Sequence, residues 1–273
     1  MKLIKQSKFI TFQVILSLII LNTQISFAQN KKINLKDWEG SYVGIGVANS
    51  SSKTEIRALG TDDHYALNNG TKDKSQDEII FKIGHLEQLN NNILLGIELN
   101  KYSDIKTSTL NTNTSSIFYR TGGTGIDRNT LKLEDIISLE LKLATVLENQ
   151  DIFLNNLMIY GKLGAATLKS NQRNTEDGFA DHISQSTARH YGSVVGIGIE
   201  KKLSFFDDPK LSNNASISLE YNMMNFNKKT SGSDSGTIID TEGYSVKPKI
   251  NNLMLTVNYR FSENSLGLKN LIK

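Results

Sequence analysis

One feature constrains this chain more than any other. Eight times over, roughly ten residues alternate apolar with small or polar side chains, and a turn-rich stretch follows. The segments fall at 41–49, 78–88, 93–103, 133–144, 157–168, 190–202, 215–226 and 250–261. Successive side chains on a strand point to opposite faces, so a period of two predicts strands with one apolar face. Val43, Ile45 and Val47 share a face opposite Tyr42, Gly44 and Gly46. In the last segment Leu253, Leu255, Val257, Tyr259 and Phe261 oppose Asn252, Thr256, Asn258 and Arg260. A tilted strand needs about 9–11 residues to cross a bilayer, whereas strands of soluble sheets centre on about five or six. The segment length therefore favours crossing.

The connections alternate too. Long polar stretches follow the first, third, fifth and seventh segments, near 50–77, 104–132, 169–189 and 227–249. Shorter links follow the second, fourth and sixth, near 88–92, 145–156 and 203–214. Long loops on one side, short turns on the other and an even strand count are the pattern of a transmembrane barrel. Pro209 falls in a short link and Pro248 just ahead of the last segment, where a missing N–H costs least. The expected fold is all-β: an eight-stranded antiparallel up-and-down transmembrane β-barrel, apolar face outward, with a polar packed interior.

The N-terminus supplies the route. Lys2, Lys5 and Lys8 precede an apolar run from Phe9 to Leu21, and Ser26-Phe27-Ala28 offers small residues where a signal peptidase reads. This predicts a signal peptide over 1–28, cleaved after Ala28, a barrel over 29–261 and a short periplasmic tail over 262–273. With no cysteine in the chain, lipid attachment, disulfides and thiolate metal sites are excluded. The 31 Lys and Arg against 28 Asp and Glu give a net +3. The signal holds three of those lysines and no acid, so the mature chain is neutral, and no nucleic-acid partner is indicated.

Periodicity alone does not say which face points inward, since a soluble ligand-binding barrel alternates as well. Glycine sits on the polar face, at 44, 46, 84, 96, 164, 196 and 198. A solvated face has no use for this, but the narrow interior of an eight-stranded barrel does. That face also carries four acids, Glu98, Glu140, Glu200 and Glu220, against four bases, Lys82, Lys142, Lys162 and Arg260. Buried charges must be paired, so the balance predicts a structural interior charge network of these eight residues.

The ending Tyr259-Arg260-Phe261 resembles the closing strand of bacterial outer-membrane barrels, where an aromatic ending serves as an assembly signal. Trp38-Glu39-Gly40-Ser41-Tyr42-Val43-Gly44 resembles the first strand of the small OmpA-like and opacity-type surface-antigen barrels. Gly196-Ile197-Gly198-Ile199-Glu200 and Leu219-Glu220-Tyr221 resemble that group's sixth and seventh strands. The resemblance covers about 38–261 and departs from the group in the tail after Phe261. It implies a Gram-negative outer membrane, its lipid and lipopolysaccharide, and the barrel-assembly machinery as partners.

No catalytic constellation stands out. His85 has lipid-facing parity, while His64, His182 and His190 lie in or beside long connections. Asp181-His182 with Ser184 or Ser186 is the sort of neighbourhood that polar loops produce by chance. His182 and His190 lack a ligand-pair spacing, so no metal or cofactor is expected. Gly44-Ile45-Gly46, Gly196-Ile197-Gly198 and Gly122-Gly123-Thr124-Gly125 lack the strand-turn-helix context of a nucleotide loop. The expected function is non-enzymatic: a surface antigen, adhesin or envelope-stabilising barrel whose four long loops could meet a host or surface ligand. The alternatives are a lipid A-modifying enzyme, a small channel or porin-like barrel fed by a continuous polar interior, and a soluble periplasmic ligand-binding barrel.

Overall fold

A computed structural model describes residues 35–58, 70–90, 93–106, 110–117, 124–147, 157–177, 183–203, 214–231, 234–235 and 244–261. The expected signal peptide, the tail after Phe261, His64, His182 and Pro209 lie outside the described residues. Eight long strands form one sheet: β1 (Gly40–Ala58), β2 (Gly70–Asn90), β3 (Ile93–Tyr102), β4 (Thr124–Leu147), β5 (Leu157–Asp177), β6 (Ile183–Lys202), β7 (Ala215–Phe226) and β8 (Tyr244–Arg260). Every neighbour pairs antiparallel, and β1 pairs back to β8 from Tyr42↔Arg260 to Ala58↔Tyr244. The sheet is a closed eight-stranded antiparallel barrel, as the period-two segments require.

Closure sets the two faces. Ile45, Phe81 and Leu141 point outward and are 54%, 56% and 58% exposed. Ile80, one residue from Phe81, points inward and is 0% exposed. The exposed apolar positions form a band around the barrel, through Val43 to Val47, Ile79 to Ile83, Leu95 to Leu99, Leu139 to Leu143 and Leu253 to Tyr259.

The polar connections are less loop-like than their composition suggests. β1 runs 19 residues, β2 and β5 21 each, and β4 24. Much of 50–58, 70–77, 124–132, 169–177, 183–189 and 244–249, expected as loop, is therefore strand. Once two antiparallel strands are bonded, each further residue adds ladder bonds whatever its polarity, and Ser and Thr suit a solvated pleat. At about 3.4 Å per residue, β4 is roughly 80 Å long, far more than a bilayer needs. The barrel wall thus continues beyond the apolar band. Two staves are pieced together there. Ile105–Lys106 and Leu110–Ile117 continue β3 along β4, while Lys229–Ser231 pairs with β8 and Asp234–Ser235 with β6. Pro248 lies inside β8 rather than ahead of it, between the β7 ladder ending at Lys249 and the short Lys229–Ser231 ladder, where no inter-strand bond is lost on that side.

A β-bulge lets β4 switch parity. The β4–β5 register slips between Glu134 and Ile137, and Asp135 adopts φ 52°. The short polar side chain of aspartate tolerates that left-handed conformation better than most. Opposite it, β3 breaks at Ser103 and Asp104, and the Asp135 N–H donates to Asp104 Oδ1 at 3.4 Å. Below the bulge Ser138 and Glu140 face inward. Above it Leu131 and Leu133 do, at 1% and 0% exposure. The native chain has no cysteine, so single cysteines read this directly. L133C is expected to resist a membrane-impermeant maleimide and K132C to react with it. Unbroken alternation through β4 would reverse that order.

Candidate functional site

The site-bearing region is the lumen, and the sequence of inward residues on each strand divides it into layers. The end of the barrel where β1 begins holds an apolar floor. A short 3-10 turn, Leu35–Trp38, folds into the mouth and places Leu35 and Trp38 at 1% exposure. They pack with Tyr42, Leu86, Leu94 and Met158. Two of the polar-face glycines make this possible. A Cβ on Gly84 would lie 2.5 Å from the Tyr42 ring, and one on Gly198 2.5 Å from the Tyr160 ring. Both rings lie where side chains on those strands would otherwise stand.

The middle layer holds all eight charged residues expected inside, each no more than 4% exposed. Like charges face each other across adjacent strands there: Glu98 opposite Glu140, and Lys142 opposite Lys162. Such neighbours repel, and relief comes from across the lumen. Lys162 bridges Glu98 at 2.8 Å and Glu140 at 2.9 Å, and also reaches Glu220. Lys82 bonds Glu220 and lies 4.0 Å from Glu98. A second group centres on Glu200, which meets Lys142 at 3.0 Å, Arg260 at 3.2 Å and the Ser216 hydroxyl at 2.6 Å. Tyr42 joins the two groups. Its hydroxyl donates to Glu98 at 2.6 Å, and its ring centre lies 5.0 Å from the Arg260 guanidinium. Arg260 also donates to the Trp38 carbonyl at 2.7 Å, tying network to floor.

Above the charges comes a second apolar layer that includes Ile80, Tyr102, Ile105, Leu133, Phe226 and Met254. The interior is therefore not polar throughout: above the charges, apolar side chains share it with buried Asn100, Asn222 and Asn252. Apolar doublets carry the signal that alternation hides. Ile79-Ile80, Leu94-Leu95, Ile136-Ile137, Val194-Val195 and Met223-Met224 each give one residue to the outside and one to the lumen.

The outermost part of the described lumen is polar again. Ser170 Oγ lies 2.9 Å from His190 Nε2, and His190 Nδ1 lies 3.0 Å from the Asn227 carbonyl. The sequence placed His190 beside a loop, but it sits in β6 facing inward, because the strand continues past the apolar band. The pair has the spacing of a nucleophile and its base. However, Ser170 is 2% and His190 0% exposed, and the third partner is a carbonyl rather than a carboxylate. His85 is exposed, with Nδ1 3.1 Å from the Ser41 hydroxyl. Ser184 lies in β6, Asp181 and His182 lie outside the described residues, and the Gly-Ile-Gly pairs lie within β1 and β6. Among the described residues, no three His, Asp or Glu converge on a metal-sized site.

At the band's two edges, charge is tuned locally. The Lys101 ammonium, 3.2 Å from Asp135, holds that exposed carboxyl below its ordinary range by a hydrogen bond. At the floor end, where β6 finishes, burial pushes Lys202 down to about 8, partly opposed by Asp37, with its ammonium 5.3 Å from the centre of the Trp38 ring.

No protein-family model and no curated protein matches the sequence. Solved structures similar to it include the attachment invasion locus protein Ail of Yersinia pestis, at 16% identity and TM-score 0.40, covering 82% of this chain and 99% of that one. The outer membrane protein OprG of Pseudomonas aeruginosa is similar at 12% identity and TM-score 0.40, over 82% and 97% of the two chains. Neisserial surface protein A is similar at 14% identity and TM-score 0.35, over 81% and 97%.

Removing one member of a buried network strands the others. K162M is expected to destabilise the folded barrel by about 3–5 kcal/mol, against no more than about 1 kcal/mol for the exposed K101M. Urea unfolding in lipid vesicles, followed by gel mobility, measures both. Equal effects would mean that the network contributes nothing.

Proposed function

We propose that this protein is a non-enzymatic outer-membrane anchor, acting as a surface antigen, adhesin or envelope-stabilising barrel. One observation carries the proposal: the apolar band is on the outside, while the inward side chains of the described lumen are buried against one another. An exposed apolar surface of that extent is intolerable in water and stable in hydrocarbon. Two apolar layers around paired charges, among the described residues, favour an anchor over a solute path. What remains for function is the wall that continues past the band, carrying polar hairpins into the medium on β1–β2, on the pieced stave beside β4, on β5–β6 and on β8.

The same reading makes the chain an exported one, delivered by the 1–28 signal and inserted by barrel-assembly machinery. Outer-leaflet lipopolysaccharide is its lipid partner. Two outward cation pairs support this. Lys53 faces Lys249, and Lys169 faces Arg189, directly across adjacent strands just beyond the band. Beside the second pair stands one carboxylate on the next strand, Glu134, which leaves that triplet positive. Lipid phosphates at headgroup level would offset that charge.

The test is made on protein from fractionated cells. It should co-sediment with outer membranes, run at different mobilities boiled and unboiled, and give silent planar bilayers as a monomer. Recovery in the soluble periplasm would overturn the membrane reading. Steady nanosiemens-scale conductance would overturn the sealed lumen.

The Ser170–His190 pair favours one second reading, an acyl-transfer enzyme acting on lipid. That reading requires Ser170 to be reachable. A fluorophosphonate probe should leave native protein in outer-membrane vesicles unlabelled. Labelling lost in S170A and in H190A would establish the enzyme instead.

A further inference from the structure

The strand register lines up one row of inward residues that is polar along its length. Lys162 on β5 stands opposite Gly196 on β6, and Gly196 opposite Asn222 on β7. Asn222 stands opposite Asn252 on β8, Asn252 opposite Ser50 on β1, and Ser50 opposite Gln76 on β2. Strands of a closed barrel are tilted by about 35–45°, so such a row climbs as it winds. This one rises from the charged middle, past the second apolar layer, to the outer lumen. Met254 and Ala48 flank it on one side there, and Val194, Met224 and Ile250 on the other, all buried. The row is a polar stripe one residue wide in an apolar setting.

Nothing in the apolar packing asks for these amides. Asn222 and Asn252 are 0% and 1% exposed, and their hydrogen-bonding capacity is poorly used. Asn222 Nδ2 reaches the Met254 sulfur at 3.9 Å, a weak acceptor. Asn222 Oδ1 and Asn252 Oδ1 have no hydrogen-bond partner, and the Tyr102 hydroxyl turns toward Asn222 and Ser138 without closing a bond. Buried polar atoms left this way are costly. Gly196 contributes no side chain, and the Asn222 amide lies over it, on the side facing Lys162. Farther out, Ser50 turns its hydroxyl to the buried Glu78, which stands inward opposite Ala48. Directly opposed side chains are roughly 4.5–5.5 Å apart at Cβ, a span that one water bridges with two ordinary hydrogen bonds.

We infer that this row binds a single file of water that joins the outer medium to the Lys162 ammonium and ends there. Amides both donate and accept, as does the Ser50 hydroxyl, so each water in the file has polar partners on two sides. The flanking apolar side chains hold the file to one molecule's width. Its outer end meets solvent at Gln76, which is half-buried. Its deep end is shut. Beyond Lys162 the same row runs through Lys142 and Gly96 to Leu86 of the floor, which is 0% exposed. The central network therefore exchanges water with the outer medium alone, and the file carries nothing across the membrane.

The experiment uses full-length protein, isotope-labelled at asparagine and refolded in lipid vesicles. Solid-state NMR follows the transfer of magnetisation from water protons to the side-chain amides. Asn222 and Asn252 are expected to receive it as quickly as Asn227, which is exposed on the outer wall. N252L replaces the middle of the file with an apolar branch. Transfer to Asn222, which lies deeper, is expected to be lost in that variant while transfer to Asn227 is kept. Native protein in which Asn222 and Asn252 receive nothing would overturn the inference, and that measurement stands whether or not N252L folds. Transfer to Asn222 that persists unchanged in N252L would overturn it too, because water would then arrive by another way.

Discussion

A strand backbone in hydrocarbon has nowhere to put its N–H and C=O groups except on another strand. Everything else in this protein follows from meeting that demand with eight strands. The ladder from Tyr42↔Arg260 upward leaves no edge, and closing eight strands fixes a lumen only side chains wide. Whatever faces inward is therefore buried, charged or not. Glu98 and Glu140 cannot relax away from each other, since the ring holds them opposite. Lys162 comes to them from the next strand and shares itself with Glu220.

The layered lumen also separates two jobs. The charged middle, with Tyr42 and Arg260 bonded into it, favours the strand arrangement that brings its four acids to its four bases. The apolar layers keep bulk water from that network, and in a drier medium each charge-assisted bond is stronger. Polar interiors of barrels are often pictured as channels in waiting. Here Ile80, Tyr102 and Phe226 on one side and Trp38 and Leu35 on the other make the interior closer to a folded core than to a pore.

The fold was legible in the sequence because one face had to meet lipid and the other a narrow lumen, and both demands leave a period of two. The eight charged residues were legible for the same reason: each falls on the small-residue face. Three features were not legible, each for a physical reason. The extension of β1, β4 and β5 through polar sequence leaves little trace, because a solvated ladder accepts almost any residue. The parity change at Asp135 depends on a bulge, which one aspartate does not announce. Glu78 opens the second segment on the parity of Lys82 and Gly84, but the apolar Ile80 between them breaks the polar face that would have marked it. The register with Ala48 shows it facing inward. The apolar doublets were a readable signal of the inner layers, obscured by attention to the outward member of each pair.

The bond from Arg260 to the Trp38 carbonyl joins residues 222 positions apart. The floor of the lumen and the final seam of the wall are thus completed by a single residue near the end of β8. Until β8 arrives, Glu200 lacks one of its two cations, the 3-10 turn lacks its anchor, and β1 has an unpaired edge in lipid. These three deficits are relieved together. Assembly therefore carries a built-in count: a chain short of its eighth strand cannot pass as nearly finished, because the same side chain that ends the ring also locks its base.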